Sequence, residues 1–120
     1  MTKKTNGKIY IAGKITGDAE YKAKFTAGVL HLLRLGWEPG KIVNPVKEVP
    51  EGWPWWRCMV RCLRLLAGCE WVAMLPDWRE SRGAKIEHAW ARLTGKWILY
   101  IHYVEPLPSK PEGPGAEQPE

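Results

Sequence analysis

The chain is 120 residues long, 45% apolar and 26% charged, with a net charge of +5. That length suits one domain with a single core, and that balance is ordinary for a globular protein. No run of about 18 apolar residues is present, which argues against a membrane span. Met1-Thr2-Lys3-Lys4-Thr5-Asn6 lacks the apolar stretch and small-residue cleavage site of a secretory signal. The three cysteines, Cys58, Cys62 and Cys69, are odd in number and clustered. Cys58 and Cys62 lie four apart in an expected helix, a poor spacing for a disulfide. No CxxC pair or nearby histidine suggests zinc. A reducing cytoplasm is the expectation, with no metal and no cofactor.

The charge is uneven. Residues 105–120 hold four acids against the single Lys110, so the remainder is more basic than the total implies. A basic body is compatible with nucleic acid, with a small phosphorylated ligand, or with simple solubility, and charge does not choose among them. No recognised nucleic-acid motif accompanies it, which makes nucleic acid the weakest of the three. The eight tryptophans, spread from Trp37 to Trp97, are expected mostly as partly buried packing.

In chain order, Lys8 to Ala12 is a β-branched run ended by Gly13, and predicts the first strand. A turn from Gly13 to Gly17 follows. Asp18 then opens a helix with an apolar stripe of Tyr21, Phe25, Val29 and Leu32, stopped by Gly36. Residues 41–44 predict a second, short strand closed by Pro45. Residues 45–54 contain three prolines and a glycine and predict a loop.

A second helix begins after Pro54, with Trp55, Met59, Cys62, Leu63 and Leu66 on its inner face and Gly68 at its end. Arg57, Arg61 and Arg64 recur on another face, the usual pattern of a solvated side. Trp71 to Leu75 is nearly continuous in apolar residues, as a strand buried on both faces would be. Pro76 to Glu80 predicts a polar loop. A third helix is expected from Ser81 to Leu93, with Gly95 as its stop, and a last strand from Trp97 to Val104. Residues 105–120 include five prolines and are expected to be a disordered Pro/Gly/Glu tail. The domain proper is then 1–104.

This β-α-β-α-β-α-β alternation predicts a flavodoxin- or Rossmann-like three-layer α/β/α fold. Its parallel sheet of about four strands has the order 2-1-3-4. Ligands of such sheets sit beyond the carboxyl ends where strand order reverses, here between the first and third strands. Two loops meet there, Gly13–Gly17 and Pro76–Gly83. The glycines of the first can let the backbone approach a ligand and aim amides at it. A tight turn that needs glycine explains them equally well.

Ser81 and Gly83 precede a helix whose inward stripe is expected to be Ile86, Ala89, Trp90 and Leu93, with Glu87 beside it. Lys85, His88 and Arg92 are assigned to the solvent side. The residues three and four away from Glu87 are Gly83, Ala84, Trp90 and Ala91, so no intrahelical ion pair accounts for this acid. Either it is an early-helix glutamate favoured by the dipole or it points functionally into the crevice.

Ile9-Tyr10-Ile11-Ala12-Gly13 with Gly17, then Asn44-Pro45, then Ser81-x-Gly83-x-x-x-Glu87, resembles the nucleoside 2-deoxyribosyltransferase superfamily. The closest resemblance is to a small, often phage-encoded domain family of unknown function within it. That family's motifs are matched by Met59 to Leu63, Cys69 to Trp78 and Ser81 to His88, and the likeness spans residues 8–101.

The resemblance implies an N-glycosidase or deoxyribosyltransferase-like enzyme acting on a nucleotide or nucleoside. Glu87 would be the nucleophile at the anomeric carbon, and Tyr10 an active-site tyrosine. Ser81 stands where monophosphate hydrolases contact phosphate and transferases carry Asp, which points to a 5′-phosphorylated ligand. The amides of Gly13–Gly17, with Lys14 and Gly83, would complete the cradle. Ser81 also reads as a helix N-cap, and the two roles are compatible. Cys62 occupies the place of an active-site Asp. Asp77 is the candidate replacement, whereas Glu70 lies at the wrong end of the sheet. Cys62 keeps alive a second reading, a non-catalytic module that binds a nucleotide or an ADP-ribose-like ligand. Members of the superfamily commonly assemble into homo-oligomers, and the resemblance extends that expectation to this chain.

Overall fold

The computed structural model describes residues 7–102. The tail expected from residue 105, and Tyr103 and Val104 of the expected last strand, lie outside them. Four strands, β1 (Ile9–Ala12), β2 (Ile42–Val43), β3 (Trp71–Met74) and β4 (Trp97–Tyr100), alternate with three helices. These are α1 (Tyr21–Arg34), α2 (Trp55–Ala67) and α3 (Arg82–Leu93). The strands form one parallel sheet in the order β2-β1-β3-β4, as the alternation predicts. No helix among the described residues is long and apolar enough to cross a membrane.

Side-chain alternation along β1 divides the core in two. Ile9 and Ile11 pack with Phe25, Leu32 and Trp37 on the α1 side, joined by Ala73 and Leu75. Tyr10 and Ala12 face the other way, toward Cys62 and Leu66 of α2 and Ala84 and Ala91 of α3. Tyr10 aligns with Val43 on one neighbouring strand and Val72 on the other. Tyr10 is fully buried, so its hydroxyl needs a partner inside the protein.

Several boundaries differ from expectation. Helix α1 starts at Tyr21 rather than Asp18, because the Asp18 carboxylate accepts the Glu20 amide (2.9 Å) and holds a turn before the helix. The segment after β2 is not all loop: Asn44 accepts the Val46 amide (3.1 Å) and caps a short 3-10 turn over Pro45–Lys47. Strand β4 stops at Tyr100. Half of the tryptophans are also more open than partly buried packing implies, with Trp55, Trp56, Trp90 and Trp97 exposed.

The largest correction concerns α3. Its buried residues are Ala84, Glu87 and Ala91, whereas Ile86, Trp90 and Leu93 are exposed, as is Ala89. At about 100° per residue, Leu93 lies roughly opposite Ala84. The alanines let the helix approach the sheet closely, and the larger apolar side chains point outward. His88 is also not simply on the solvent side: it lies 4.2 Å from the Trp78 ring and shares a 2.7 Å hydrogen bond with the Tyr100 hydroxyl.

Gly13 ends β1 for a packing reason. A Cβ there would lie 2.7 Å from Leu75 Cδ1 and 3.0 Å from Leu75 Cβ. Leu75 is fully buried, so little room exists for it to yield. Gly13→Ala should therefore lower stability by about 1–3 kcal/mol through overpacking. Thermal unfolding should show a drop of several degrees, and a wild-type melting temperature would contradict the close approach.

Candidate functional site

At the carboxyl ends of β1 and β3 lies a cavity of about 770 Å³. This is the place where strand order reverses, so both adjoining loops open into it. Tyr10 forms part of its floor, and Ile15 and Thr16 come from the first loop. Met59 and Cys62 come from α2, and Ser81, Arg82, Gly83, Ala84 and Glu87 from the start of α3.

The centre of the site is a carboxyl group that water scarcely reaches. Glu87 is 5% exposed, and the Tyr10 hydroxyl donates to its Oε2 at 2.5 Å. Glu87 Oε1 accepts no hydrogen bond among the described residues, and no lysine or arginine there pairs with the carboxylate. Burial pushes its pKa up to about 7, with the Tyr10 hydrogen bond opposing the shift. Burial likewise raises the Tyr10 phenol well above its usual range, reinforced by the negative charge of Glu87. Tyr10 is therefore a permanent donor. Cys62, close enough to interact with the Tyr10 hydroxyl, is pushed up to about 12, chiefly by burial and then by Glu87. It stays a thiol at neutral pH.

The mouth is formed by the N-terminus of α3. Ser81 Oγ accepts the Ala84 amide at 3.0 Å, so Ser81 is the N-cap. Its hydroxyl proton remains available to a ligand. Gly83 packs closely on α2: a Cβ there would sit 3.0 Å from Met59 Sδ, which would have to give by a few tenths of an ångström.

Tyr10, Gly13, Ser81, Gly83 and Glu87 thus share one cavity, while Lys14, Gly17 and Asp77 are outside its wall. Gly17 serves a turn at φ +81. The Lys14 amide donates to Asp77 Oδ1 at 3.2 Å, and its ammonium lies 4.0 Å from the Glu80 carboxylate. Asp77 is also ion-paired with Lys24. The Lys24 ammonium further donates to the Lys14 carbonyl (2.7 Å) and the Asp18 carboxylate (2.5 Å). The Lys24 hydrogen bond is the main reason the Asp18 carboxyl is held below its ordinary value. Asp77 therefore ties the first loop to the β3–α3 loop and does not stand in for an acid in the cavity.

Trp53, Trp55 and Arg82 also line the cavity, beyond the site residues expected from the sequence. The signal for the two tryptophans is the run Trp53-Pro54-Trp55-Trp56-Arg57, an Arg/Trp-rich segment that opens α2. Among the described residues, no group of three or more His, Cys, Asp or Glu is placed to hold a metal ion.

A family model described as a domain of unknown function (DUF4406) matches residues 7–100. No curated protein and no solved structure matches the chain.

Burial of Glu87 has a thermodynamic signature. Its folded-state pKa of about 7 lies above its ordinary 4.5, so folding favours the protonated form. That contribution to stability is full below pH 4.5 and is lost as pH rises through 7. Relative to Glu87→Gln, whose amide does not titrate, wild type should lose up to about 3 kcal/mol between pH 4.5 and pH 8.5. Urea unfolding of both proteins across that range measures it. A difference that does not change with pH would contradict the buried carboxyl.

Proposed function

The chain belongs to the DUF4406 family, and we propose that it is a nucleotide or nucleoside N-glycosidase, or a deoxyribosyltransferase-like enzyme, with Glu87 as nucleophile. One observation carries this reading: a carboxylate with no cationic partner among the described residues, held by a tyrosine and facing a ligand-sized cavity. Burying such a group without an ion pair costs stability, and catalytic use explains why a sequence would keep it. The resemblance to nucleoside 2-deoxyribosyltransferases points to the same residue.

In this mechanism Tyr10 fixes Oε2 and leaves Oε1 to attack the anomeric carbon. A C–O bond forms as the C–N bond to the base breaks, and the bonding pair leaves on the base nitrogen. Water, or a second base, then displaces Glu87 from the glycosyl ester. The desolvated carboxylate is a stronger nucleophile than one in water, provided it is ionised. Because Cys62 remains a thiol, it supplies no carboxylate to orient the sugar, and the proton taken by the leaving base comes from solvent. At the mouth, the Ser81 hydroxyl and the first amides of α3 would hold a 5′ phosphate.

A second reading is favoured by Cys62 alone: a module of the same fold that binds a nucleotide or ADP-ribose-like ligand without turnover. Base release, followed by chromatography over a panel of nucleosides and nucleotides, separates the two. The enzyme reading predicts release that rises with pH through about 7 as Glu87 ionises and is abolished in Glu87→Gln. Turnover that persists unchanged in the variant contradicts the nucleophile. Binding without release by wild type selects the module.

A further inference from the structure

We infer that the cavity takes a dinucleotide, a nucleotide whose 5′ phosphate leads to a second nucleoside, with the second base stacked on Trp55 beside the Arg82 guanidinium. This inference rests on the nucleotide reading of the site and extends it outward from the phosphate.

Glu87 and Gly83 are four residues apart, hence on one face and separated by about 6 Å along the axis. A ligand with its anomeric carbon at Glu87 and its 5′ phosphate at Ser81–Gly83 runs toward the helix N-terminus. What lies next is aromatic. The indole Nε1 of Trp55 is 3.9 Å from where a Gly83 Cβ would be, and Trp55 lines the same cavity while remaining 37% exposed. A 5′-monophosphate has no group to place there. A substituent on that phosphate does.

The chemistry of this rim suits a planar base joined to phosphate. The Arg82 guanidinium lies 4.1 Å over the Trp55 ring, and that of Arg57 lies 4.3 Å over the ring of its neighbour Trp53. Trp53, Trp55 and Arg82 all line the cavity, so its wall carries two indoles that each have a guanidinium over the ring. Stacking holds Arg82 at the phosphate end, where its donors meet anionic oxygens. An indole face accepts any base, because each has a π surface. Arg82 would serve any phosphate, but the indole face would not help a ligand that ended there.

Calorimetric titration with three probes tests the inference: AMP, ADP, and diadenosine 5′,5′-diphosphate. The last carries less negative charge than ADP but adds a second base, so tighter binding cannot come from charge. It should bind about ten-fold more tightly than ADP, as one base stack allows. In Trp55→Leu the ratio of the two affinities should fall toward one, whereas Arg82→Gln, which removes a phosphate contact both probes share, should weaken both and leave the ratio at or above its wild-type value. Two variants at separate positions, with the wild-type ratio, keep the test independent of either one's folding. Binding of AMP and ADP with no advantage for the dinucleotide overturns this inference and leaves the nucleotide reading standing. Failure of all three probes overturns the nucleotide reading itself. A single-stranded oligonucleotide binding more tightly than the dinucleotide would also overturn the inference, placing nucleic acid on the rim instead.

Discussion

The hydrogen bond from Tyr10 to Glu87 is the contact on which the site depends. It joins the middle of a central strand to the inner face of α3, and both partners are buried. A carboxylate in that position would be strongly disfavoured if nothing donated to it. One donor offsets part of the cost and leaves the rest as a raised pKa. The group therefore remains able to change protonation state near neutrality, unlike an exposed glutamate or an ion-paired one.

The neighbouring architecture makes that contact reachable. Ala84 and Ala91 flank Glu87 on the buried face of α3, and their small side chains bring the helix close enough for a tyrosine in the sheet to meet it. Gly83 lets Met59 of α2 pack against the start of α3. On the other side of the sheet, Gly13 and Gly28 both abut Leu75, which seats the first loop over the strand ends. Lys24 then locks that loop to Asp77. A charged network outside the cavity thus positions the loops around a core in which, among the described residues, Glu87 is the buried acid.

Much of this was legible in the residues themselves. Alternation of short β-branched runs with helical stripes is enough to predict the strand order, because right-handed crossovers leave few parallel arrangements. Glu87 stood out because no residue one turn away could neutralise it, and Ser81 because it preceded a helix. The orientation of α3 was not legible. Ile86, Trp90 and Leu93 form the stripe that hydrophobicity turns inward, yet close approach to the sheet selects the alanine face, and a glutamate with a tyrosine partner can be buried there. Hydrophobic patterning has no means of registering a partner 77 positions away in the chain. Asp77 failed as a stand-in acid for a related reason: its distance from the strand end was readable, but its capture by Lys24 was tertiary.

The same logic explains why the aromatic rim escaped notice. The position of Trp55 on α2 predicts an inward face, and it does line the cavity, but partly exposed and covered on one side by an arginine from another helix. Its pairing with Arg82 exists only because α2 and α3 begin at the same end of the sheet.

The central claim is that Glu87 is a buried carboxyl held by Tyr10 and poised to ionise near neutral pH. Carbon-detected NMR titration of the Glu87 side-chain carboxyl tests it most directly. The account predicts a midpoint near 7 in the wild type. It predicts a higher one in Tyr10→Phe, because removing the donor withdraws the one interaction that favours the ionised form. A wild-type midpoint near 4.5, unmoved by Tyr10→Phe, would contradict it.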